Sequence, residues 1–152
     1  MTDTNALRER GLRVTAPRLA VLEAVGRVPH ATADRVLTEV RRALPTVSVQ
    51  AVYDVLHALT DVGMLRRIEP AGHAARYERR VADNHHHVVC RGCGALDDVD
   101  CAVGPSPCLT PSSTSGFTID TAEVTYWGLC PACQSAPDTH TTRDQPVAPD
   151  AA

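Results

Sequence analysis

The chain has 152 residues and a net charge of −3, with 43% hydrophobic residues, only five aromatic ones and no lysine. That length admits one ordinary domain or two small ones, and so few large side chains leave a small second domain in need of a stabilising metal. Residues 1–80 hold 13 arginines and 9 acids, whereas residues 81–152 hold 2 and 9, so the front half suits a polyanion and the back half suits cations. The N-terminus has no apolar signal-like core and no apolar run is long enough for a bilayer. The expectation is a cytoplasmic protein without membrane contact, in which six cysteines point to metal sooner than to disulfides.

Thr4 to Arg10 reads as a short amphipathic helix stopped by Gly11. Thr15 caps a second helix, with Pro17 in its first turn, an apolar stripe of Leu19, Leu22, Val25 and Val28, and Pro29 as its stop. Thr32 caps a third, which buries Val36, Leu37, Val40 and Leu44 before Pro45. Ser48 caps a fourth, with Val49, Val52, Leu56 and Leu59 on its core side and Gly63 at its end. Two short strands follow, Met64 to Glu69 and Ala75 to Arg79, joined by a turn containing Pro70 and Gly72. Helices followed by a basic hairpin make a winged helix-turn-helix, expected over residues 1–80.

The other face of the helix after Ser48 carries Gln50, Tyr53, Asp54 and His57 in one polar stripe. Glutamine can bond the adenine edge in a major groove and an aromatic ring can pack on thymine methyls. Arg13 and Arg18 flank the preceding helix and Arg66, Arg67 and Arg76 lie on the wing, where phosphate contacts are expected. The plain alternative is a solvated helix face, and Asp54 is unfavourable near phosphates unless it accepts from a cytosine amino group.

Beyond Val81 the chain turns strand-like. His86 to Cys90 and Ala95 to Val99 read as a hairpin turned by Cys90-Arg-Gly-Cys93-Gly, Gly104 to Gly116 as a loop or short irregular helix, and Phe117 to Asp120 and Ala122 to Trp127 as two more strands. Residues 134–152 are rich in Pro, Asp and Thr and read as a disordered tail.

Cys90 and Cys93 form one C-x-x-C pair, and Cys130 and Cys133 form another, 36 residues further on. Four thiolates suit tetrahedral zinc in a closed, non-catalytic site, here acting as a tertiary staple. The alternatives are unligated or disulfide-bonded cysteines, or a thiol-redox pair at Cys130 and Cys133. A redox pair would open a helix after a strand in a βαβ unit, which this segment does not. No zinc-deaminase H-x-E, P-loop, dinucleotide glycine fingerprint or H-E-x-x-H occurs, so neither an enzyme nor a small-molecule substrate is expected.

The same stretch holds His85, His86 and His87. On a strand, His85 and His87 point to one face, while His86 and Cys90 point to the other. With Asp98 on the paired strand, the first pair makes a mixed nitrogen and oxygen set suited to Fe²⁺, Mn²⁺ or Zn²⁺. Spacing alone does not bring in His30, which by itself reads as a surface histidine, or Glu78. Cys101 and Cys108 are extra cysteines open to a disulfide or a secondary metal site, with inert thiols the favoured reading.

Over residues 7–133 the chain resembles the ferric uptake regulator family of bacterial metal-dependent repressors. The likeness rests on GLRVTAPR (Gly11 to Arg18), PHATAD (Pro29 to Asp34), SVQAVYDVLHALTDVGML (Ser48 to Leu65), ARYE (Ala75 to Glu78), NHHHVVCRGCG (Asn84 to Gly94) and YWGLCPAC (Tyr126 to Cys133). The resemblance implies an α+β chain: a winged-helix DNA-binding domain over 1–80 and a small α/β dimerisation domain over 81–133, with structural zinc on Cys90, Cys93, Cys130 and Cys133. It implies a homodimer bound to an inverted-repeat operator in double-stranded DNA, with Tyr53 matching the family's base-touching tyrosine; with the residues read above, Arg13, Arg18, Ser48, Gln50, Tyr53 and Arg76 are the expected contacts. It also implies a regulatory Fe²⁺ or Mn²⁺ site, with Zn²⁺ as a further candidate, on His30, Glu78, His85, His87 and Asp98. Asp rather than Glu at 98 is similar to the peroxide-sensing branch and to actinobacterial regulators of catalase-peroxidase genes, whereas Glu at 78 departs from that branch's usual Asp. A sensor of iron or zinc concentration is the alternative. Some members have another site using the middle histidine and one before the last strand. His86 fills the first role, but Thr121 to Val124 has no histidine, so that site is not expected.

Overall fold

Side-chain caps start three of the four N-terminal helices. Thr2 accepts from the Asn5 N–H to open α1 (Asp3–Glu9), Thr32 from Arg35 to open α3 (Ala33–Ala43), and Ser48 from Ala51 to open α4 (Val49–Asp61). The remaining one, α2 (Ala16–Arg27), begins behind Thr15 without such a bond and has Pro17 in its first turn, where a missing N–H costs nothing. These spans belong to a computed structural model that describes residues 2–81, 85–100, 113–119 and 123–135.

The four helices close on one core of Leu7, Val21, Leu22, Val25, Val36, Val40, Val52, Leu56, Leu59, Leu65 and Tyr77. Each buried aliphatic side chain contributes roughly 1.5–3 kcal/mol relative to exposure. The stripes differ in detail from expectation. Val21 is fully buried, whereas Leu19, Val28, Leu37 and Leu44 only lean on the core's edge. Val49, expected inside, is the first residue of α4 and is 46% exposed. Glu39 of α3 is buried, its carboxylate met by Arg42 at 2.8 Å and Arg35 at 3.0 Å.

Behind the helices lies a three-stranded antiparallel sheet in the order β1 (Ala31–Thr32), β3 (Arg76–Glu78), β2 (Arg66–Ile68). The wing strands are shorter than the sequence suggests because Met64 and Leu65 enter the helical core, and the edge strand β1 was not foreseen. A second sheet has the order β5 (Leu96–Asp100), β4 (His85–Cys90), β6 (Thr125–Gly128). The β4–β5 hairpin is antiparallel and sets His87 opposite Asp98, while β6 runs parallel to β4 with Trp127 opposite Val89. The end of β5 and the start of β6 therefore lie at the same end of β4, with Asp100 opposite His85 and Thr125 opposite His87. Residues 117–119 form no strand, leaving Phe117 76% and Ile119 47% exposed. A one-turn helix, α5 (Pro131–Gln134), ends the described chain. Cys101, Cys108, most of residues 104–116, Asp120, Thr121, Ala122 and residues 136–152 lie outside the described residues. No helix among the described residues is long and apolar enough to cross a membrane.

Candidate metal centres and nucleic-acid interface

The first pair of cysteines sits on the β4–β5 turn, closed by a bond from the Gly94 N–H to the Cys90 carbonyl at 2.9 Å and by Gly94 at φ +71°. The second pair brackets the start of α5. All four sulfurs lie within 4.8 Å of one another, and Cys93 and Cys130 are 3.7 Å apart. A tetrahedron with zinc–sulfur arms of ~2.3 Å has edges near 3.8 Å, so the spacing fits a shared metal and is too long for a disulfide. The backbone N–H groups of Cys130 and Cys93 hold the Cys90 thiol down at about 6, whereas the sulfurs of Cys130, Cys90 and Cys93 push Cys133 up to about 12. Crowded sulfurs that resist further ionisation are what a divalent cation relieves.

A second cluster lies between the two sheets. His30 and Glu78 come from the winged-helix side, and His87 and Asp98 from β4 and β5. Their ligand atoms all lie within 4.8 Å of one another. His85 joins them, with its Nε2 3.0 Å from Glu78 Oε1 and 3.2 Å from His87 Nε2. His30 Nε2 is 3.0 Å from Glu78 Oε2 and 2.8 Å from Asp98 Oδ1, and the His30 and His87 rings are 5.6 Å apart. Two-residue alternation on β4 aims His85 and His87 here and sends His86 to the opposite face, where its ring packs 6.1 Å from Tyr126.

Three imidazoles and two carboxylates aimed at one point offer more lone pairs than protons to fill them. Asp98 Oδ1 is buried without a well-directed donor despite the nearby His30 nitrogen, an arrangement that a cation in the cluster would satisfy. Burial alone would raise the Glu78 carboxyl, but hydrogen bonds from His30 and His87 outweigh it and hold it down at about 2. Burial likewise lowers the His30 pKa, yet the Glu78 hydrogen bond and the Asp98 charge more than offset this and leave it raised. Arg80, which spacing did not single out, grips the far oxygen of Asp98 at 3.1 Å and Asp100 at 2.9 Å, fixing which oxygen faces the cluster. A cavity of about 180 Å³ is lined by Gly26, Pro29, Glu78, Arg79, Arg80 and Asp98, among others.

On α4, Gln50, Tyr53, Asp54 and His57 form an exposed stripe, with the Gln50 amide donating to Asp54 at 2.7 Å. Ser48 is exposed at the helix start with its oxygen occupied in capping. Arg13 is exposed, and Arg18 donates to the Arg13 carbonyl at 2.6 Å. Arg67 pairs with Glu69, and Arg66 with Glu123 at 3.2 Å. Arg76 departs from expectation. It turns inward and donates to the His30 carbonyl at 3.2 Å and the Gly94 carbonyl at 2.6 Å. The two-residue period of β3 gives the reason, since Arg76 shares a strand face with Glu78.

A winged helix-turn-helix domain joined through a histidine–carboxylate cluster to a four-cysteine α/β domain defines a class: the metal-dependent transcriptional regulators. The ferric uptake regulator family model matches residues 9–126, and the chain belongs to that family. The transcriptional regulator FurA of Mycobacterium tuberculosis is 64% identical over 127 residues, covering 84% of this chain and 86% of that protein. The peroxide operon regulator of Bacillus subtilis is 27% identical over 128 residues, covering 84% and 88%. The structure of the Helicobacter pylori ferric uptake regulator superposes with a TM-score of 0.66 at 16% identity, covering 88% of this chain and 90% of that one, a likeness of fold.

Proposed function

We propose that the protein is a cytoplasmic, homodimeric repressor that binds an inverted-repeat operator when a divalent ion occupies the cluster of His30, Glu78, His85, His87 and Asp98. Fe²⁺ or Mn²⁺ is the proposed regulatory ion, with Zn²⁺ as a further candidate. A separate Zn²⁺ on Cys90, Cys93, Cys130 and Cys133 is structural. The observation that carries this reading is that ligand atoms of His30 and Glu78 from one domain and of His87 and Asp98 from the other lie within 4.8 Å of one another. An ion there favours the closed arrangement over any open one, and only such differential binding makes a switch. The protein then divides at residue 80, and closing the division fixes the spacing of the two recognition helices in the dimer. Tyr53, Gln50 and Ser48 face the bases and Arg13 and Arg18 the phosphates. Arg76 is engaged elsewhere and is left out of that set. The protein carries out no catalysis and takes no small-molecule substrate.

Peroxide is the proposed signal and catalase-peroxidase genes are the proposed targets. Asp98 supports this in place of a glutamate, as does similarity to a peroxide operon regulator. Bound Fe²⁺ would supply the electron that splits peroxide. The chain's own contribution is to hold His30, His85 and His87 within reach of the product and to admit a small solute along the cavity beside Asp98. Loading with Fe²⁺, treating with H₂O₂ and sequencing the peptides by mass spectrometry tests this. The expected outcome is one added oxygen on a peptide carrying His30 or residues 85–87, with loss of operator binding. Unmodified histidines with metal-responsive DNA binding intact would leave the alternative, a sensor of iron or zinc concentration, which Glu78 favours as a departure from the peroxide branch.

A further inference from the structure

The Arg76 guanidinium joins two backbone segments from different domains. Its Nη1 donates to the His30 carbonyl at 3.2 Å and its Nη2 to the Gly94 carbonyl at 2.6 Å. Both acceptors belong to residues in the left-handed region, His30 at φ +57° and Gly94 at φ +71°. For glycine that conformation is free, but for a histidine it is strained and persists where the surroundings hold it. His30 is a ligand of the interdomain cluster, and Gly94 closes the turn that carries Cys90 and Cys93. The wing also touches this turn through His73. A Cβ on Gly94 would come within 2.9 Å of the His73 Nδ1, so the imidazole lies directly on the glycine. The same ring lies tilted against Trp127 with centroids 5.9 Å apart, and the Arg91 guanidinium sits over the Trp127 ring at 5.3 Å.

We infer that Arg76 is a positioning residue that couples the two metal clusters, holding the strained backbone of His30 against the four-cysteine turn. Without the bracket, His30 relaxes toward ordinary backbone angles and its imidazole leaves the cluster, while the turn keeps only the His73 contact with the wing. Occupying the interdomain cluster therefore tightens the seat of the four-cysteine turn, and the reverse holds by linkage. The inference rests on the metal-site reading above. The chain has one tryptophan, Trp127, and its place beside His73 makes it a reporter of this contact.

The test uses full-length protein with zinc on the four cysteines, titrated with Mn²⁺ while Trp127 fluorescence and the Mn²⁺ electron-spin signal are followed. Wild type is expected to bind one Mn²⁺ per chain with a change in Trp127 emission. In Arg76→Ala the expected result is one retained zinc per chain, Mn²⁺ affinity lower by on the order of tenfold, and no Trp127 response. Arg76→Lys, which keeps the charge but cannot span both carbonyls, is expected to behave like the alanine variant and serves in its place should that variant not fold. Wild-type affinity with an intact Trp127 response in either variant overturns the inference. So does weakened affinity with the Trp127 response retained, the pattern of a residue that merely stabilises. Failure of wild type to bind Mn²⁺ would count against the metal-site reading, and a wild type that binds it without any Trp127 response would count against the coupling alone.

Discussion

Glu78 is the residue on which the interdomain cluster turns. It is 1% exposed, and its carboxylate reaches His30, His85 and His87 at 3.0, 3.0 and 3.3 Å. A buried carboxylate is costly unless several donors or a cation face it. Glu78→Gln keeps the shape and removes the charge. Its expected effect is a loss of more than about tenfold in Mn²⁺ affinity, with the four-cysteine zinc retained, measured by equilibrium dialysis. The protonation of His30 sets a pH dependence. Its pKa is raised above 6.5 because the neighbouring carboxylates outweigh burial, so as pH falls through that raised value the imidazole gains a proton that a metal must displace. Apparent Mn²⁺ affinity should therefore fall with decreasing pH, by about tenfold per unit for one competing proton. A flat profile between pH 8 and 6 (roughly the range where histidine titrates) would mean that His30 is no ligand.

At the scale of elements, α4 serves two surfaces at once. Its inner side packs Val52, Leu56 and Leu59, while Gln50, Tyr53, Asp54 and His57 stay in solvent. Leu56→Ala is expected to cost about 2–5 kcal/mol by leaving a cavity, whereas Val49→Ala should stay within about 0.5 kcal/mol, both read by urea unfolding. Periodicity and caps made the helices legible: Thr32, Ser48 and Gly63 mark true boundaries, and period-two alternation on β4 sorted His85 and His87 from His86. Where it failed, tertiary contacts decided. Val49 fits the helical stripe, yet as the first residue of α4 it is 46% exposed while Val52 in the same turn is buried. Phe117 and Ile119 look like a strand and remain in solvent. His30 and Glu78 entered through family likeness, because 48 residues separate partners that meet only once the wing folds. A basic wing suggests a phosphate contact for Arg76, but the alternation that aims Glu78 inward aims Arg76 the same way.

For the whole molecule, net charge is a poor guide and its distribution a good one. Thirteen of fifteen arginines lie in residues 1–80, and several of them, including Arg66, Arg76 and Arg80, reach acids or carbonyls across the interdomain boundary. Closure is therefore supported by arginine contacts as well as by the ligand cluster, and the energy an ion adds need only tip a balance. The measurement that tests this most directly is fluorescence anisotropy of the protein, zinc-loaded at its four cysteines, on duplex DNA from upstream of its own gene as Mn²⁺ is added. The prediction is that Mn²⁺ tightens binding by on the order of tenfold or more for wild type and leaves His87→Ala unchanged. Equal affinity for that DNA with and without the ion in wild type, or an undiminished response in His87→Ala, would contradict it.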